Sequence, residues 1–141
     1  MMNFVVENYR YEPFSASIWR LKIASLNVIV QCIEPLGEDF GDAIIGRSIY
    51  GNLILEMAQV RAVTDAYIPP CFSILKENFN LSDGSLVQCI GTASDILTDD
   101  NEFKLASVIE LVVKAESMPR IDEGSSVSVE GLLKFKPMLP C

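Results

Sequence analysis

The chain has 141 residues and a mass of 15.6 kDa, enough for one domain (1–141) with a core that needs no staples. It carries 19 acidic against 11 basic residues and no histidine, for a net charge of −8. The bases are scattered with no basic run, which argues against nucleic-acid binding, and no imidazole of this chain can act as base or metal ligand.

Half of the residues are hydrophobic and mean hydropathy is +0.29, so part of the surface is expected to be covered in an oligomer. The opening Met1-Met2-Asn3-Phe4-Val5-Val6-Glu7 lacks the basic and long apolar regions of a signal peptide. No apolar run approaches the ~18–20 residues of a membrane-spanning helix, and the expected location is cytoplasmic. Cys32, Cys71, Cys89 and Cys141 lie far apart without a C-x-x-C pair, so free thiols and no metal site are expected.

The first third reads as extended. Residues 17–24 alternate Trp19, Leu21 and Ile23 against Arg20 and Lys22, the pattern of a half-buried strand. Residues 27–33 form a short β-branched run, expected of a strand covered on both faces. Residues 34–51, with Pro35 and glycines 37, 41, 46 and 51, read as an ordered loop.

Residues 52–66 contain no glycine or proline and are rich in Leu, Glu, Met, Ala, Gln and Arg. Asn52 is placed as an N-cap and Pro69-Pro70 follows the end, so this stretch predicts a helix. Its apolar residues cover most of a helical wheel, so the helix would be central and wrapped by other elements. Strand patterns return at 86–96, then a turn at Thr98-Asp99-Asp100-Asn101, then strands at 102–114 and 126–135 with a turn between them. The expected class is therefore α+β: an antiparallel sheet wrapped around one long helix.

Within that helix Glu56 and Gln59 would share one face, a carboxylate and an amide on an otherwise apolar element. Burying Glu56 costs several kcal/mol unless it is paired, solvated or protonated. It has two readings: a site carboxylate at a subunit interface, or a residue bonded to Arg61, Asn52 or backbone amides. Gln59 either orients a substrate or satisfies a strand carbonyl. Gly46 and Gly51 serve turn geometry, or supply backbone amides that polarise a carbonyl. Trp19 and Tyr50 are expected in the core or an interface, and Asp99, Asp100 and Glu102 at a solvated hairpin tip.

The segment Gly51-Asn52-Leu53-Ile54-Leu55-Glu56-Met57-Ala58-Gln59 resembles the G-x-L-x-L-E-x-M-A-Q motif of β-hydroxyacyl–acyl-carrier-protein dehydratases, with one residue fewer between Glu and Met. Tyr9-Arg10-Tyr11-Glu12-Pro13-Phe14 resembles that family's H-R-x-P-F entry without its His. Phe40-Gly41-Asp42-Ala43 with Gly46 sits where its F-x-G-H-F-P-G loop would run, and 124–137 is similar to its final strand. The resemblance implies a hotdog fold and dehydration of a 3-hydroxyacyl thioester on phosphopantetheine, in fatty acid or polyketide biosynthesis. Glu56 would be the acid, and Asp42 stands near the position of the missing His. Gly46, Gly51, Asn52 and Gln59 would contact substrate, with no cofactor besides the phosphopantetheine that the substrate carries.

Loss of a positioned base costs roughly 10²–10⁴-fold in rate. The resemblance therefore implies either a related hotdog subunit that supplies the imidazole in a heterodimer, or a homodimer with other work. One alternative is a thioesterase in which Glu56 activates water; another is a non-catalytic acyl-binding or scaffold subunit. The implied partners are an acyl-carrier protein or a CoA thioester, with Arg10, Arg20 and Lys22 as the candidate docking cations.

Overall fold

The computed structural model describes residues 2–64 and 68–138. Their strands are β1 (Met2–Arg10), β2 (Ala16–Ile23), β3 (Val28–Pro35), β4 (Ser48–Ala62), β5 (Cys71–Lys76), β6 (Leu86–Leu97), β7 (Glu102–Ala106), β8 (Glu110–Ala115) and β9 (Ser126–Pro137). Helical geometry among these residues is confined to two three-residue 3-10 turns, Asp42–Ile44 and Thr98–Asp100.

The architecture is all-β, and the expected central helix is absent: 52–62 belong to β4, a 15-residue strand. The end of that expected helix at 65–66 lies outside the described residues. With no long helix for a sheet to wrap, the α+β hotdog assignment is overturned, and the fold part of the dehydratase resemblance with it. The physical reason is visible along β4. Leu53, Leu55 and Ala58 are buried, a spacing that imitates helical periodicity because one extra residue enters between Leu55 and Ala58. Good intrinsic helix formers are then overridden by pairing on both edges of the strand.

The strands close two small rings. In the first, the order is β1-β2-β3-β9-β4, and β4 returns to β1 through Met2↔Gly51 to Val5↔Ser48. In the second, β4 continues to β8, β7 and β6, and β6 returns to β9 through Leu86↔Leu132 to Thr92↔Ser126. The antiparallel ribbon of β4 and β9, paired from Gly51↔Pro137 to Ala62↔Val127, is common to both rings. On the far edge of β4, β1 gives way to β8 between Gly51 and Ile54. On β9 the change from β6 to β3 falls between Leu132 and Lys134. Ring closure removes sheet edges that would otherwise remain unpaired.

The inward rows follow the period of two. Along β9, Val127, Val129, Leu133 and Phe135 are buried, with Gly131 in the same row. Gly51 faces that row closely: a Cβ there would meet the Phe135 ring and stand 2.6 Å from the Lys136 carbonyl oxygen. Trp19 is fully buried and packs edge-on to Phe40 and Phe135 at 5.2 and 5.4 Å, while Tyr50 is exposed.

β2, β3, β6 and β9 fall within two residues of the predicted strands. The predicted strand at 102–114 is instead a hairpin, β7 and β8, reversing at 107–109. Cys32, Cys71 and Cys89 are free thiols; Cys141 lies outside the described residues. No helix of the described residues is long and apolar enough to cross a membrane.

Candidate functional site

The seam where the two rings share β4 and β9 carries the candidate site. Pairing runs regularly to Glu56↔Leu132 and resumes at Gln59↔Glu130, so β4 spends one residue more than β9 across this interval. Met57 takes up the excess. It adopts φ +51°, a left-handed conformation that is rare for an unbranched non-glycine residue, and its side chain is 65% exposed. A large apolar residue is thus exposed at a left-handed backbone position, a conformation found at binding sites.

Beside Met57, Lys134 Nζ donates to Glu56 Oε2 at 2.7 Å. Ile54 is opposite Lys134 and Glu56 opposite Leu132, so this is a diagonal pair across the shared ribbon. The two side chains retain 29% and 30% of their exposure, intermediate between a surface pair and a buried one. Lys134 was not among the partners expected for Glu56. The pairing depends on β4 and β9 meeting across 78 residues, which no local pattern reveals.

A groove of about 410 Å³ opens over this pair. Pro35, Met57 and Leu132 give it apolar lining, and Ser82 and Asp83 give it a polar side. That second side belongs to the loop 77–85, which Gln31 holds in place. Gln31 is buried, and its Nε2 lies 2.7–2.8 Å from the carbonyl oxygens of Asn78, Leu81 and Asp83. Arg20, directly opposite Gln31 on β2, fixes the same loop by donating to the Phe79 carbonyl at 2.6 Å with its guanidinium over the Phe79 ring.

Of the sequence-derived site residues, only Glu56 lines this groove. Asp42 is exposed in the 3-10 turn before β4, and Glu56 lies eight residues beyond Ser48, roughly 26 Å along an extended strand. Gly46 has φ +88° in the same turn, and its N–H donates to the Val6 carbonyl at 2.7 Å. Gly51 is buried against Phe135, Asn52 lies opposite Lys136, and Gln59 is exposed opposite Glu130. Arg10 pairs with Glu12 at 3.0 Å, and Arg20 is engaged with the loop.

A second polar cluster lies in the first ring. Trp19 Nε1 donates to Glu34 Oε1 at 3.0 Å, and Tyr9 Oη donates to the Glu38 carbonyl at 3.0 Å while accepting from Phe40 N–H. Burial, with Glu38 nearby, pushes the Glu34 carboxyl above its ordinary range. These bonds stay within the cluster and brace the aromatic residues Tyr9, Trp19 and Phe40. Burial also raises the thiols of Cys32 and Cys89, the latter to about 11, so neither is a thiolate at neutral pH. Among the described residues no group of three or more His, Cys, Asp or Glu side chains is placed to hold a metal ion.

Fold and site together define an all-β protein of two small rings with a mixed apolar and ionic groove at their seam. Comparison with known protein families, curated proteins and solved structures finds no match to this chain.

Proposed function

We propose that the chain is a binding module, and that the seam groove holds a short apolar segment of a partner protein bearing one positive charge. The single observation that carries this reading is Met57, a large, mostly exposed apolar residue that lines the groove at a left-handed backbone position. An exposed, adaptable methionine beside Pro35 and Leu132 suits an apolar side chain of a partner. The groove's charged residues are Glu56, Asp83 and Lys134, two acids against one base, and the whole chain is at −8. Both favour a cation in the occupant.

A volume of about 410 Å³ lies within the range of small binding sites, roughly 300–1,000 Å³, and accommodates a few side chains rather than a folded surface. Small closed barrels bind oligonucleotides or oligosaccharides in other proteins. Here the acidic balance and the engagement of Arg10 and Arg20 within the chain favour a basic peptide over a phosphate backbone.

The test is calorimetric titration with a blocked tetrapeptide, Leu-Lys-Leu-Phe, against its counterpart Leu-Glu-Leu-Phe. The lysine peptide should bind with Kd on the order of 10–100 µM, as expected for a ligand of this size. The glutamate peptide should bind at least tenfold more weakly, and Met57→Ala should weaken the lysine peptide about tenfold. Equal binding of both peptides, or indifference to Met57→Ala, would refute the reading.

A further inference from the structure

β5 ends the strand order. It pairs with β6 from Cys71↔Ile90 to Lys76↔Leu86, and among the described residues no strand pairs with its other edge. Such an edge is a template for another chain unless it is blunted by charge, proline or a bulge. Cys71-Phe72-Ser73-Ile74-Leu75-Lys76 has no proline and no acid, in a chain with 19 acids. Its one charge, Lys76, stands at the end, and a bulge between Ile74 and Lys76 leaves Cys71–Ile74 regular.

We propose that two copies of the chain join through β5, antiparallel about a two-fold axis at Ser73. The strand is self-complementary in that register. Phe72 and Ile74 pack against the core of their own copy, and Ser73 between them is exposed. Centring on Ser73 sets Phe72 opposite Ile74 of the second copy, so each core-facing row continues across the axis. It also sets Cys71 opposite Leu75, which is 45% exposed and gains an apolar neighbour. Centring one residue later places Phe72 opposite Lys76 and Cys71 opposite Glu77, a poorer match.

Two-fold pairing of identical edges closes on itself and leaves no free strand to propagate. It also covers apolar surface on a chain whose mean hydropathy is positive. The paired segment is short, well below the roughly 1,200–2,000 Å² of a standard interface, so the dimer is weak and concentration-dependent. Repulsion between two copies at −8 weakens with salt, so association strengthens with ionic strength.

Sedimentation of the full chain over graded concentrations tests this together with a charge-swap pair. Wild type should move from monomer toward dimer as concentration rises. Ser73→Lys places two ammonium groups face to face and Ser73→Glu two carboxylates, so each alone should dissociate at least tenfold more readily. An equimolar mixture of the two should restore the dimer, which also shows that both variants fold. A wild type that stays monomeric at millimolar concentration overturns the proposal, as does a dimer indifferent to Ser73→Lys or a mixture that fails to associate.

Discussion

Gln31 and Ser85, 54 residues apart, bond to each other twice: the Gln31 N–H donates to Ser85 Oγ at 2.9 Å, and the Ser85 N–H donates to the Gln31 carbonyl at 2.8 Å. Ser85 also accepts from the Leu133 N–H at 3.0 Å through its carbonyl. A single residue therefore bridges β3 and β9 where those strands share only one direct pairing, Ile33↔Lys134. Since 77–85 carries one side of the groove, this bridge couples closure of the first ring to the shape of the site.

Replacing Gln31 with Leu keeps bulk but leaves three loop carbonyls without their amide. The expected loss is about 2–4 kcal/mol, read from urea unfolding. Native-state hydrogen exchange should show faster exchange through 77–85, with β7 and β8 unchanged.

At Met57 stability and binding should move in opposite directions. Glycine adopts φ +51° without strain, so Met57→Gly should gain about 0.5–1 kcal/mol in urea unfolding. The same change should weaken the Leu-Lys-Leu-Phe complex about tenfold. A residue kept only for packing would show neither the gain nor the loss.

Gly51 tests the shared ribbon. A methyl group there meets the Phe135 ring and the Lys136 carbonyl, so Gly51→Ala should lose about 1–3 kcal/mol through displacement of β9. Its glycine requirement comes from close approach, not from a turn before a helix.

Glu34 makes stability depend on pH. Its folded pKa is raised, chiefly by burial, so the folded chain holds this proton more tightly than the unfolded chain. The contribution is complete below the unfolded carboxyl range, near pH ~4, and is lost as pH rises through the higher folded value. Glu34→Gln keeps an acceptor for Trp19 and removes the charge. The variant should therefore exceed wild type in urea midpoint at pH 7, and the difference should shrink toward pH 4.

The strands with unbroken alternation were legible. Trp19, Leu21 and Ile23 mark the inner row of β2, and Val127, Val129, Leu133 and Phe135 that of β9. β4 was not, because the extra residue at Met57 shifts its inner row from Leu53 and Leu55 to Ala58, and Leu-Glu-Met-Ala-Gln has helical propensity. A bulge is a choice made by the partner strand, and a single sequence shows only one side of it. Glu56 stood out as a carboxylate needing a partner, though Arg61 and Asn52 were the side chains expected. That partner, Lys134, and the loop wall at Ser82 and Asp83 come together only through ring closure.

The most direct measurement of the central claim is amide chemical-shift mapping of the labelled chain titrated with Leu-Lys-Leu-Phe. The account predicts saturable shifts concentrated at residues 16, 33–35, 56–57, 82–83 and 132–134, the five segments that line the groove. Shifts spread over the acidic surface without saturation, or centred on another part of the fold, would contradict it.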